Sequence, residues 1–381
     1  MRYRSPWTLV IAGTVSFCLP LFAGVLPEDR ADALYHSYEG GGLTVNGPSL
    51  LARTHIGQSV SVFGNYYVDS ITSATIDVVT QASPYHEERT EYTVGGDYLH
   101  GKSLMSLAYT NSEESDYLAN AVSFDISQDM FGDLTTVSLG YMRNWNVVGM
   151  STDSNFEQDA DSQRYRVGIT QVLTKDLIAA LSVEAVTDEG YLNNPYRSVR
   201  YVDPSSSIGY SWIGEVYPNT RTSNATALRA RYFLPWRGAV HGEYRMYQDS
   251  WGIDASNWEL GYTQIWKDRW TFDVKYRYYE QTSADFYSDL FSSPDAQNFM
   301  GRDKELSTFN DRTIGLGVSY EFPEGGWGFI ERGSLNFSYE RIAFDYKNFR
   351  DLRDRGAYPV GDEPLYNFTA DVVQLYLSLW Y

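Results

Sequence analysis

Ionisable side chains crowd the middle of this 381-residue chain at alternate positions. Arg229 and Arg231, His241, Glu243 and Arg245, Glu259, and Asp273, Lys275 and Arg277 all carry odd numbers within runs whose even positions are largely apolar. Successive side chains of an extended strand point to opposite faces, so these charges would line one side of consecutive strands. Charged groups around an enclosed aqueous space bias which solutes pass, as they do in channels. The same groups can instead pair between neighbouring strands and brace a wall, at roughly 0.2–1 kcal/mol per pair.

Two further sets invite a chemical reading. Phe286, Tyr287, Leu290 and Phe291 stand among Asp and Ser in a segment, 282–306, that lacks a strand period. Water solvates such rings poorly, so the segment is expected to fold inward as a constriction or to cap a mouth by packing on other loops. Asp153, Glu157, Asp159 and Asp161, with Asn155, put hard oxygen atoms at alternate positions, the donor type that Ca²⁺ takes. The glycine turn and closing Glu of an EF-hand are missing there, so a solvated acidic loop is the plainer expectation.

Catalysis finds little support. The five histidines are His36, His55, His86, His100 and His241. None sits in a His-Glu-x-x-His zinc motif, and the loops hold no Gly-x-Ser-x-Gly elbow. A barrel hydrolase built on His241 is the remote alternative, and no enzyme is expected. The only cysteine, Cys18, lies near the N-terminus, so haem or iron–sulfur ligation by thiolates has nothing to use downstream. No cofactor is expected beyond the Ca²⁺ alternative.

A period of two places all these groups. Trp270, Phe272, Val274, Tyr276 and Tyr278 form one face, opposed by Thr271, Asp273, Lys275, Arg277 and Tyr279. Val240, Tyr244 and Met246 oppose His241, Glu243 and Arg245 in the same way, and Ile314, Leu316 and Val318 oppose Thr313, Gly315 and Gly317. The runs last about 10–14 residues, against ~5–6 in an ordinary globular strand and ~9–11 in a tilted membrane strand. Tight turns at His100–Gly101, Phe131–Asp133, Thr174–Asp176, Pro235–Arg237 and Lys267–Arg269 alternate with long connections near 72–87, 147–161, 188–219, 282–306 and 346–366. That is the alternation of periplasmic turns and extracellular loops. Trp236, Trp266, Trp270, Trp327 and Trp380 gather near the tight turns or the C-terminus, with Trp145, Trp251 and Trp258 toward the other end, as interfacial girdles require.

Counting runs back from the C-terminus gives about 16 strands, an even number as a single-chain barrel needs. The first hairpin is expected to turn at Asn46-Gly47, a favoured type I′ pair, between strands near 37–45 and 49–57. The final strand, Val373, Leu375, Leu377, Leu379 and Tyr381, alternates to an aromatic end and resembles the signal read by the barrel-insertion machinery.

Composition closes other routes. Mean hydropathy is -0.39, and no mature segment approaches the ~18 apolar residues of a membrane helix. A net charge of -19 argues against nucleic acid as a partner. Arg2 and Arg4 precede an apolar run from Trp7 to Phe22 that exits through Ala23 and Gly24, the pattern of a secretory signal peptide over 1–23. The expected organisation is that signal, a short periplasmic segment over 24–36 suited to docking a partner, and a barrel over 37–381.

Several strings resemble a large family of uncharacterised bacterial outer-membrane barrels, known only as a domain of unknown function. They are Ala82-Ser83-Pro84-Tyr85 with Glu87 to Tyr92, Thr187 to Arg197, Val216 to Arg221, Ala284 to Phe291, and Arg302 to Ser307. The resemblance implies fold and compartment, and it brings no catalytic residues. The expectation is therefore all-β: a transmembrane antiparallel up-and-down β-barrel in the outer membrane of a Gram-negative bacterium, surrounded by lipid. It would act as a porin-like channel or export conduit, or else as a loop-plugged scaffold holding a periplasmic or surface partner protein.

Overall fold

The computed structural model describes residues 24–76, 80, 85–322, 328–354 and 356–381. The expected signal peptide over 1–23, with Cys18, and Trp327 lie outside these residues. Strand runs of 11 to 18 residues between turns become β1 (Arg30–Gly40), β2 (Leu43–Ile56), β3 (Val60–Ser73), β4 (Tyr85–His100), β5 (Ser103–Glu113), β6 (Tyr117–Met130), β7 (Thr135–Gly149), β8 (Glu157–Thr174) and β9 (Leu177–Gly190). A short hairpin follows, β10 (Ser198–Val202) and β11 (Tyr210–Gly214). The chain then continues through β12 (Thr220–Leu234), β13 (Gly238–Asp249), β14 (Asp254–Trp266), β15 (Trp270–Gln281), β16 (Phe309–Glu321), β17 (Arg332–Arg350) and β18 (Leu365–Trp380). Among the described residues, all but β10 and β11 join one closed antiparallel barrel of sixteen strands, sealed where β1 pairs with β18.

The polarity of this barrel is inverted relative to a soluble core. Leu260, midway along β14, is 56% exposed, whereas Asp97 and Asp129 on the inner wall are 5% and 6% exposed. Leu228, Met246, Val274, Ile314 and Leu316 also present their side chains outward. An apolar belt around a polar interior is the arrangement that hydrocarbon demands, and closure leaves no strand edge unpaired in it. Trp236 and Trp266 stay exposed at the tight-turn end. Trp251 departs from the girdle: it is 6% exposed, packed among loop aromatics.

The first hairpin turns earlier than Asn46-Gly47. Gly41 and Gly42, with φ of +60° and +80°, make the two-residue turn, the left-handed pair that a type I′ connection requires. Asn46 and Gly47 lie inside β2, where the pairing with β3 runs from Asn46↔Ser70 to Ser49↔Tyr67 and skips Gly47 and Pro48. Pro48 has no N–H to give the ladder, and a Cβ on Gly47 would collide with the backbone of Val68. The barrel accordingly starts at Arg30 rather than at 37, and the N-terminal stretch ahead of it shrinks to 24–29.

Candidate functional site

Three long connections, 191–219, 282–308 and the described residues of 351–364, close over one mouth of the barrel. Their apolar side chains have no strand face to share, so they pack on one another. Phe286 meets Tyr217 and Trp251 with ring centroids 5.3 and 5.2 Å apart, in a cluster that includes Leu306 and Phe349. Tyr287 is buried there, and its hydroxyl donates to the Asn348 carbonyl at 3.0 Å. Phe291 packs with Val199 and Met300, while Leu290 is half-buried beside Gly361. These four aromatic and aliphatic groups build a cap shared between loops.

A buried ionic knot ties the same loops together. The Arg200 guanidinium, 0% exposed, donates to Glu363 Oε1 at 2.6 Å and to Oε2 at 3.0 Å. It also pairs with Asp289, whose other oxygen receives Arg302 at 2.9 Å. Burial opposes the charge on Glu363, yet the Arg200 hydrogen bonds hold its carboxyl below the usual range. Nearby, Glu215 accepts the Arg302 backbone N–H at 2.7 Å and the Tyr217 hydroxyl at 2.6 Å. Burial raises the Glu215 carboxyl to about 7, against the pull of Arg197. Burial also pushes on Asp303, but Arg197 and Lys304 hold it below the usual range.

Beneath the cap lies a chamber of about 760 Å³. Arg221, Arg245 and Arg277 line it together with Asp161 and Asp188, and Tyr247 and Trp251 from the rim. The polar set from the middle of the chain forms the wall below as a ladder of pairs. Arg229 pairs with Glu243, and Arg245 reaches Glu184 at 3.4 Å. His241 lies 4.0 Å from Glu259. Lys275 stands 3.9 Å from Glu259 and 2.7 Å from Glu340. Arg277 meets Asp311 at 3.2 Å, and Thr263 donates to Asp273. Arg231 falls opposite His241 in the register.

The acidic run is not gathered. β8 begins at Glu157, so Glu157, Asp159 and Asp161 stand at alternate positions along a strand, and among the described residues their carboxylate oxygens do not converge. Asp161 lies 3.8 Å from Arg143, and Asp153 sits in a turn, accepting the Asn155 N–H at 3.0 Å. The carboxylates that do converge are Glu87, Glu114 and Asp116, with oxygens within 4.8 Å of one another. Burial, then the Glu87 charge, push the Glu114 carboxyl up to about 8. Sequence order hides this group, because Glu87 stands on β4 while Glu114 and Asp116 lie in the connection between β5 and β6.

Other groupings also escape a linear reading. His36 turns inward from β1, 2.6 Å from Asp69 and 3.0 Å from the Tyr67 hydroxyl, with Arg89 on the other Asp69 oxygen. At the opposite mouth, residues 24–29 do not hang free. The Gly24 N–H donates to Asp129 on β6 at 2.9 Å, Asp29 meets His55 at 2.6 Å, and Leu26 is buried. This stretch crosses the rim from β6 to β1.

A family model described as a protein of unknown function, DUF3570, matches residues 67–329. No curated relative matches the chain. Among solved structures, a bacterial polysaccharide outer membrane secretin is similar at 7% identity over 93% of this chain and 100% of that one, with a TM-score of 0.48. The trimer form of OmpT, an outer membrane protein of Vibrio cholerae, is similar at 11% identity over 92% and 99%, with a TM-score of 0.43. Pseudomonas aeruginosa OccK2 in complex with glucuronate gives 10% identity over 94% and 99%, and a TM-score of 0.43.

Proposed function

The chain belongs to the DUF3570 family of proteins of unknown function, and from that starting point we propose that it is a closed outer-membrane barrel, a loop-plugged binding or scaffold protein rather than an open porin. In this reading residues 1–23 direct export, the last strand is read by the insertion machinery, and lipid surrounds the apolar belt. One observation carries the proposal: Arg200, Glu363, Asp289 and Arg302 form a buried ionic knot across all three loops of the cap. Removing one partner of such a buried network leaves an uncompensated charge at a cost of about 3–5 kcal/mol, so the four groups tie the three loops into one unit over the mouth. The chamber beneath, at about 760 Å³, falls in the range of roughly 300–1,000 Å³ that suits small ligands. No catalytic step is assigned to His241, which lies beside a wall carboxylate, and no resident cofactor is assigned.

A gated conduit is the second reading, favoured by the charged wall under the chamber, where Lys275 stands between Glu259 and Glu340. Planar-bilayer recording separates the readings. The closed barrel is expected to be nearly silent at moderate voltage, and a gated conduit should show brief openings. Large, steady conductance of the unmodified protein rejects the plugged reading. Cleavage of a peptide or phospholipid that disappears in His241→Ala would instead establish an enzyme.

A further inference from the structure

Asp129 is a buried carboxylate that lacks a cation. It is 6% exposed on the inner wall of β6 near the tight-turn mouth. Its Oδ1 accepts the Thr136 hydroxyl at 2.5 Å, and its Oδ2 accepts the Gly24 N–H at 2.9 Å. Among the described residues, no Lys, Arg or His lies within ion-pair distance of it. A buried, unpaired charge is strongly disfavoured unless a counter-charge arrives.

Its nitrogen partner is the residue that follows Ala23, where the secretory pattern ends. We propose that hydrolysis of the Ala23–Gly24 bond on export supplies the missing cation. Water adds across the amide and the C–N bond breaks. Ala23 departs with the carboxylate, and the Gly24 nitrogen takes a proton to become an ammonium held against Asp129. A hydrogen bond from a neutral amide to a carboxylate thereby becomes an ammonium–carboxylate ion pair.

Residues 24–29 act as a strap across the mouth, and processing turns its Gly24 contact into an ion pair. Its far end is already fixed. Glu28 pairs with Arg332, Asp29 meets His55, and the Tyr381 N–H donates to the Asp29 carbonyl at 3.3 Å. Only the Gly24 end depends on processing. The inference rests on the export reading of 1–23 and is independent of whether the lumen conducts.

Mass spectrometry of protein purified from outer membranes is expected to give Gly24 as the first residue. The α-amine is then acetylated with acetic anhydride over a pH series, folded in detergent and unfolded in urea. Wild type should label at least about tenfold more slowly when folded, with its half-labelling pH displaced above the ordinary range of about 7.7–8.0. Asp129→Asn should remove that protection. Should the variant fail to assemble, the wild-type comparison decides alone. A chain that keeps residues 1–23 overturns the export reading, and a different first residue overturns the assigned bond. Gly24 first, with equal labelling folded and unfolded, overturns the ion pair. Bilayer conductance reports on the closed lumen separately.

Discussion

Arg200 and Glu363 stand 163 positions apart in the chain and meet fully buried, in a two-pronged pair at 2.6 and 3.0 Å. Both lie in connections rather than in barrel strands, so the pair ties loop to loop. Replacing Arg200 by Ala strands Glu363 without its cation and leaves Asp289 with Arg302 alone. The cap should lose about 3–5 kcal/mol of local stability while the sixteen-strand wall remains intact. Limited proteolysis should then cut within 351–364 at much lower protease concentration, with unchanged heat-modifiable migration on gels. Equal resistance of R200A and wild type would remove the knot from the account of closure.

The cap should also respond to pH through Glu215. Its carboxyl is raised by burial from the ordinary range to about 7, so the protonated form is the one the folded cap prefers. The stability it contributes is full below about pH 4.5 and is lost as pH rises through 7. After correction for the intrinsic base-catalysed rate, protection of the Tyr217 and Arg302 amides from hydrogen exchange is expected to be greater at pH 5 than at pH 8. Glu215→Gln should flatten that difference, and a cap that tightens with rising pH would contradict it.

Inner and outer faces should tolerate change differently. Leu260→Arg places a charge in the middle of the hydrocarbon belt, at a cost of about 2–4 kcal/mol. Lys275→Met on the inner wall removes one ladder rung and should cost roughly 1 kcal/mol or less. Urea unfolding of the protein folded into lipid vesicles measures both, and a larger loss for Lys275 would reverse the assignment of faces.

Glycines on the inner wall make room for long side chains. The His241 imidazole lies over Gly261 on the neighbouring strand, where a Cβ would collide with the ring. Gly261→Ala should displace His241 from Glu259 and destabilise the barrel by about 1–3 kcal/mol through overpacking. The same denaturation series tests it, and a neutral substitution would show that the ring has another place to go.

The wall was legible in the sequence because its signal is local. Each strand from Trp270 to Glu280 or from Ile314 to Ser319 reports its two solvents through neighbours two residues apart, and length distinguishes hydrocarbon from a soluble sandwich. The first hairpin was misplaced because Asn46-Gly47 and Gly41-Gly42 both satisfy turn chemistry. Only the register with β3, and Pro48 at the skipped pair, decides between them. The cap was harder. Phe286 and Phe291 signalled that something must cover them, but not that the partners would be Trp251 and Val199. Arg200, Glu363 and the Glu87–Glu114–Asp116 group left no trace, since their meaning lies in distances that connections of irregular backbone alone establish.

The join between β1 and β18 has a consequence for biosynthesis. Arg30 faces Trp380 across it, so the earliest strand waits for the very last to be made before it has both neighbours. Intermediates on the way must carry two raw edges, each a template for unwanted pairing. The polypeptide therefore has to be shepherded, slack and complete, all the way to its destination before any ring can form.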